Sequence, residues 1–257
     1  MILMGTGTSV GVPVIGCPCP VCQSSTPQNQ RLRCSAVVGL PEGVLLIDTP
    51  PDLRTQLLRT KLGVVHAVAF THEHADHLYG MDELRLFQFY LNSSVPIYCE
   101  EVVENRIRTV FDYAFATHDQ THAGAAPRIE FHRISTEPFN VLGAQVIPIR
   151  LHHGPRFKVL GFRFGKIAYC TDTNEIPVES WERLKGLDIL ILDALRPRPH
   201  ATHFSLEQAV EVAERLQPKR TYFTHVGHEL DYHETNQALP PNMELAYDGL
   251  TLSLNDD

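Results

Sequence analysis

Hydrophobic and polar positions along the chain follow two periods, and the change from one to the other marks the elements. "CSAVVGL" (34–40) and "GVLLIDTP" (43–50) are short aliphatic runs separated by "PEG", which predicts a hairpin. "PDLRTQLLRTKLG" (51–63) opens on Pro-Asp, repeats leucine at helical spacing and closes on Gly63, which predicts a helix. "VVHAVAFTH" (64–72) is a buried strand whose end delivers a histidine-rich loop. A helix over 81–92, a strand over 95–100 and a helix over 101–115 continue the alternation, and an exposed loop follows at 117–127. Residues 140–153, 159–165 and 166–173 read as successive antiparallel strands joined by short turns. The last third holds strand 187–194, helix 205–217, strand 220–225 and a closing pair over 245–254. Hairpins with interspersed helices imply two packed sheets flanked by helices. With no repeat, low-complexity tract or linker, residues 1–257 are expected to form one domain.

Composition narrows the function classes. Lys plus Arg is 22 against 30 for Asp plus Glu, a formal charge of -8, so the chain lacks the basic footprint of a nucleic-acid binder. "MILMGTGTSVG" has no basic leader, and no run of apolar residues is long enough to span a bilayer. Neither secretion nor a membrane partner is expected. Six cysteines, three of them in "GCPCPVC" (16–22), fit metal binding in a reducing cytoplasm better than a disulfide framework. Cys17, Cys19 and Cys22 are one ligand short of a tetrahedral site.

The fourteen histidines cluster instead of scattering. "THEHADH" places His72, His74, Asp76 and His77 at the end of an apolar strand, where residues two apart point the same way. His72, His74 and Asp76 can therefore converge, and a tightening after Asp76 can swing His77 alongside. Three later strand ends offer further ligands: His153 in "RLHHG", with His152 beside it, Asp172 in "YCTDT" and His225 in "YFTHVGH". A lone strand-end histidine is usually an ordinary polar residue; the repetition of this placement points to metal chemistry.

"HEHADH" followed by His, Asp and His at strand ends resembles the metallo-β-lactamase superfamily, over nearly the whole chain. "GTGTSVGVPVIGCPCPVC", "HADHLYGMDELR" and "THVGHE" resemble the branch of the carbon-phosphorus lyase accessory phosphodiesterases, which act on phosphoribosyl cyclic phosphate and are related to the tRNA 3′-processing endonucleases. The resemblance implies a four-layer αββα sandwich of the α/β (α+β) class. It implies one divalent ion held by His72, His74 and His153, a second by Asp76, His77 and His225, and Asp172 bridging them; it also selects His153 over His152. Cys17, Cys19, Cys22 and His228 would hold a structural zinc, four sulfur and nitrogen ligands being what a closed zinc site requires. A homodimer is implied by the resemblance alone.

The implied activity is hydrolysis of a small phosphodiester, cyclic ones included, because two ions about 3.5–4 Å apart can share a hydroxide and clamp a phosphoryl group. Imidazole and carboxylate ligands suit Zn, Mn and Fe alike. His203, in "HATHFSLEQA", is the candidate general acid for the leaving group. Asp48, at the end of "VLLID", is placed to orient a ligand histidine. Arg85, and Arg196 or Arg198, are candidates for a second phosphate. "GTGTSVG" lacks the lysine of a phosphate loop and is given a structural role beside the cysteine segment. Two alternatives remain: a ribonuclease of the tRNA-processing kind, for which a long basic arm is missing, and a non-catalytic binding member of the fold, in which ligand positions would be lost.

Overall fold

The computed structural model describes residues 1–115, 122 and 124–253. The strands are β1 (Ile2–Gly5), β2 (Ser35–Leu40), β3 (Gly43–Ile47), β4 (Ala67–Ala69), β5 (Val95–Cys99), β6 (Ile129–Arg133), β7 (Phe139–Val141), β8 (Ala144–His153), β9 (Phe157–Phe164), β10 (Ile167–Cys170), β11 (Ile189–Asp193), β12 (Arg220–Thr224), β13 (Met243–Leu245) and β14 (Leu250–Thr251). They form two seven-stranded sheets, ordered β14-β1-β2-β3-β4-β5-β6 and β13-β12-β11-β10-β9-β8-β7. The helices are α1 (Pro20–Gln23), α2 (Leu53–Thr60), α3 (Ala75–Leu78), α4 (Phe87–Leu91), α5 (Glu101–Val110), α6 (Leu206–Leu216) and α7 (Tyr232–Ala238). None is long and apolar enough to cross a membrane among the described residues.

Alternation along the strands builds the layers. Ala36, Val38, Leu45 and Ile47 face Phe162, Tyr169 and Ile191 of the second sheet, forming the core between the sheets. Their neighbours Val37 and Leu46 turn outward, where Leu53 of α2, Phe87 of α4 and Val103 and Ile107 of α5 cover them. On the other side Cys170, Leu192 and Phe223 pack against Ala209 and Ala213 of α6. Each large apolar side chain removed from water contributes about 1.5–3 kcal/mol, so both faces of both sheets are stabilised by burial. The result is a four-layer αββα sandwich.

Strand direction then decides where chemistry can gather. β3 and β4 are parallel, as are β10, β11 and β12, while β8 is antiparallel to β9 and β9 to β10. The carboxyl ends of β8, β10, β11 and β12 therefore share one edge of their sheet, and those of β3 and β4 one edge of the other. Asp48, His72, His153, Asp172, Asp193 and His225 sit at or just beyond these ends. The crevice outside strand carboxyl ends is where mixed α/β sheets bind ligands.

Several predicted elements are shorter or differently paired. The helix over 51–63 forms at Leu53–Thr60, the one over 101–115 ends as α5 at Val110, and 81–92 begins as a 3₁₀ segment, Met81–Leu86, before α4. Of 64–72 only Ala67–Ala69 pairs, because the residues beyond leave the sheet for the crevice. The closing pair over 245–254 is not a hairpin: β13 joins β12 in one sheet and β14 joins β1 in the other. Asp248 turns the chain between them, accepting from Thr6 N (2.9 Å), Thr6 Oγ1 (2.9 Å) and Leu32 N (2.7 Å). The pattern does not signal β6 or α7; "IEFHR" and "YHETNQA" mix polar residues into half-exposed positions and show neither period cleanly. Of the loop read over 117–127, residues 117–121 and 123 lie outside the described residues.

The "GTGTS" segment after β1 is a connector. Thr8 N donates to Val226 O (3.2 Å) and Val226 N to Thr6 O (2.9 Å), so it runs beside the residue that follows His225. Asp248→Ala is expected to leave three donors unpaired and to lower stability by about 1–3 kcal/mol, read from the urea midpoint. An unchanged midpoint would mean that β14 pairing, not Asp248, holds this turn.

Candidate functional site

Of the residues that leave β4, Thr71, His72 and His77 are buried while His74 and Asp76 are half-buried, and their geometry follows from a change of backbone conformation. The chain stays extended through His74, which caps α3 with ψ 152°, and then turns helical. Tightening therefore begins at Ala75, two residues earlier than the alternation of "HEHADH" suggests, and it places Asp76 with His77 instead of with His72 and His74. His72, His74 and His153 bring one ligand atom each within 4.8 Å of one another, and so do Asp76, His77, Asp172 and His225. Asp172 also groups with His153 and His203, so it lies where the two clusters meet. His77 Nε2 is 3.1 Å from Asp172 Oδ2 and His225 Nε2 is 3.2 Å from Asp172 Oδ1.

A layer of hydrogen bonds fixes these rings from behind. Asp48 accepts from Thr71 N (2.8 Å), Thr71 Oγ1 (2.8 Å) and His77 Nδ1 (2.8 Å). Thr71 Oγ1 also lies 2.9 Å from His72 Nδ1. His153 Nδ1 donates to Thr202 O (2.7 Å), and Thr171 Oγ1 donates to Asp172 Oδ2 (2.6 Å). Asp48, Asp172 and His225 all adopt left-handed backbone, with φ 62°, 55° and 60°. Such a conformation costs an L-residue roughly 1–2 kcal/mol and persists where surrounding bonds enforce it. At these strand ends it redirects the side chain into the crevice.

His203 stands at the junction of the clusters. Its ring stacks on His225 (4.5 Å between centroids, 13° between planes) and meets His153 edge-on at 4.6 Å. Its Nδ1 is 2.7 Å from Asp193 Oδ2, which also accepts from Thr173 N (2.8 Å). Ser205 caps α6 two residues later through a reciprocal bond with Gln208, which sets where this segment enters the helix. Asp193 was missed from sequence because an aspartate closing "LDILILD" has no neighbouring chemistry to mark it. Phe157 was missed too: it pairs with His153 across the β8–β9 hairpin and lays its ring edge-on to His74 at 4.4 Å.

The electrostatics fit cations. His72 Nε2, His77 Nε2 and both ring nitrogens of His225 are buried without a hydrogen-bond partner. Burial pulls the His72 imidazole well below its usual range. Burial also pulls on His77, yet the carboxylates of Asp172, Asp76 and Asp48 raise it well above that range. For Asp172 burial is outweighed by His225 and His77, which hold its carboxyl well below normal. Unpaired imidazole nitrogens facing ionised carboxylates are the donor set of divalent metals, and the residues present fit two such ions.

A second cluster lies beside the crevice. Cys17 Sγ and Cys19 Sγ are each 3.3 Å from His228 Nδ1, and with Cys22 the four ligand atoms all lie within 4.8 Å of one another. The N–H of Cys22 and the His228 ring draw the Cys19 thiol down to about 6, whereas burial pushes Cys22 up to about 11. This set too fits one ion, and it would fasten the N-terminal loop to the turn carrying His225.

The remaining candidates make local pairs. His152 faces Glu175 (3.1 Å) on the opposite face from His153. Arg85 pairs with Asp82 (3.5 Å), Arg198 with Glu229 (2.9 Å), and Arg196 donates to Pro199 O (3.0 Å).

Residues 44–226 match the family described as Beta-lactamase superfamily domain. A solved structure, a diphosphatase from the PhnP family, is 44% identical, covers 97% of this chain and 94% of its own, and superposes with a TM-score of 0.90. An octanoyltransferase of Porphyromonas gingivalis is 33% identical over 99% of this chain, which spans only 51% of that protein's length. Zinc-bound PqqB of Methylobacterium extorquens, 20% identical with a TM-score of 0.79 over 98% of this chain and 99% of its own, shares the fold.

Cys19→Ser is expected to remove about one bound zinc per chain and to lower the thermal midpoint, because ligand loss couples to folding. Elemental analysis of the purified variant checks this, and unchanged zinc content would remove the cysteines from metal binding.

Proposed function

The chain belongs to the beta-lactamase superfamily, and from that premise we propose that it is a metal-dependent hydrolase of small phosphodiesters. The observation that carries this reading is the shared position of Asp172 between a three-histidine cluster and an Asp76, His77 and His225 cluster, with His203 close to members of both. His72, His74 and His153 would hold one divalent ion, Asp76, His77 and His225 the other, and Asp172 both. Ions bound there would supply Lewis-acid polarisation and charge neutralisation for a phosphoryl group. Cys17, Cys19, Cys22 and His228 would hold a structural zinc.

The chain's own residues supply the rest. One nitrogen of His203 lies within 4.8 Å of ligand atoms of His153 and Asp172, in reach of a leaving oxygen between the clusters. Asp193 accepts the Nδ1 hydrogen and orients the ring, leaving the other nitrogen to give a proton to the departing alkoxide. Phe157, half-buried beside His74, forms an apolar wall that restricts water on that side. A chain of net charge -8 favours a small molecule over nucleic acid as substrate. Resemblance alone extends the proposal to a cytoplasmic homodimer.

A second reading, cleavage of a diphosphate linkage, is favoured by the 44% identical diphosphatase. Both readings place a doubly substituted phosphoryl group at the same site, and a substrate panel separates them. Bis(p-nitrophenyl) phosphate and a ribose cyclic phosphate are expected to turn over, p-nitrophenyl phosphate poorly, and Asp172→Ala to abolish the activity. Turnover of a nucleoside diphosphate sugar to the exclusion of diesters would select the second reading. His203→Ala should cost about 10²–10⁴-fold on a diester with an alkoxide leaving group. It should cost much less on a p-nitrophenyl ester, whose leaving group needs no proton. Equal losses on both would take proton donation away from His203.

A further inference from the structure

The two histidine clusters are wired to each other through one hydroxyl. Asp48 Oδ2 accepts from both His77 Nδ1 and Thr71 Oγ1, each at 2.8 Å. Thr71 has a single hydroxyl hydrogen and gives it to Asp48, so at 2.9 Å its oxygen accepts the Nδ1 hydrogen of His72. Both rings are thereby held with a hydrogen on Nδ1, so that Nε2 is the nitrogen left for a cation. Those Nε2 atoms are buried and without partners, and they face different clusters. Asp48, Thr71, His72 and His77 are each no more than 1% exposed, so water does not substitute for any of these bonds.

We propose that Thr71 is a positioning residue that couples the two metal positions, so that filling one orders the other. The inference rests on the two-ion reading above. A cation on His77 Nε2 fixes that ring and, through it, the orientation of Asp48. Asp48 then fixes the Thr71 hydroxyl, which fixes the tautomer and direction of His72. The ordering cost is met once, by the first ion, and the second binds a prepared site. Bonds in such a chain also polarise one another, which adds to the coupling. The backbone bond from Thr71 N to Asp48 Oδ1 (2.8 Å) does not depend on the hydroxyl, so it survives substitution of the side chain.

Thr71→Val keeps the shape and that backbone bond while deleting the hydroxyl. The test is Mn²⁺ titration of protein treated with a mild chelator, followed by calorimetry and by the electron paramagnetic resonance signal that separates paired from isolated ions. Wild type is expected to bind two Mn²⁺ ions cooperatively and give the signal of a pair. Thr71→Val is expected to keep one ion, weaken the other about 10–100-fold and show an isolated ion over the intermediate range. Thr71→Ser should restore the pair. If Thr71→Val fails to fold, Thr71→Ala carries the same comparison. Cooperative binding of unchanged affinity in the hydroxyl-less variant would overturn the coupling while leaving the two-ion site standing. No Mn²⁺ bound by wild type at either cluster would overturn both.

Discussion

An imidazole nitrogen buried without a hydrogen-bond partner costs roughly 1–3 kcal/mol, and this crevice holds four of them, on His72, His77 and His225. Three buried carboxylates, Asp48, Asp172 and Asp193, share the space, and a buried charge is tolerated only when it is paired and hydrogen-bonded. The rest of the architecture answers that constraint. Asp48 is surrounded by three donors, Asp172 lies between the rings of His77 and His225, and Asp193 is set against His203. One nitrogen each of His72, His77 and His225 is left for the two cations of the proposed site.

The sandwich brings these groups together because strands of both sheets end on the crevice. Left-handed backbone at Asp48, Asp172 and His225 makes the last turn of each side chain, at a conformational cost that packing must exceed. Behind His225, Val226 exchanges bonds with the Thr6–Thr8 segment, and His228 reaches Cys17 and Cys19. The cysteine cluster is thus a brace on one wall of the crevice. Local opening of the N-terminal loop would release Val226 and loosen the strand end that carries His225.

Much of this was legible in the sequence, and what was not has a common cause. "HEHADH" and the strand-end His153, Asp172 and His225 stand out because packing alone rarely puts so many ligand-type residues at the ends of apolar runs. The layers were legible because 34–40 and 43–50 are aliphatic runs broken by a turn, and 159–173 continues as strands joined by a short turn. Asp193, Thr71 and Phe157 were invisible, since an aspartate, a threonine and a phenylalanine in a strand context are ordinary. Their roles come from contacts such as Asp193 with His203 and Phe157 with His74. The helical start at Ala75 and the splitting of 245–254 between sheets likewise depend on tertiary bonds, those of Asp248 among them. Choosing His153 over its neighbour needed more than the residues themselves; in the fold, strand pleating turns His152 to Glu175 and His153 into the crevice.

The most direct test of the central claim is the rate of bis(p-nitrophenyl) phosphate hydrolysis by chelator-treated protein as a divalent ion is returned in measured equivalents. The account predicts no turnover without the ion and a rise that saturates near about two equivalents beyond any zinc kept at the cysteine cluster. Turnover by protein with both histidine clusters verifiably empty would contradict it, as would a diesterase that stays inactive when both are full.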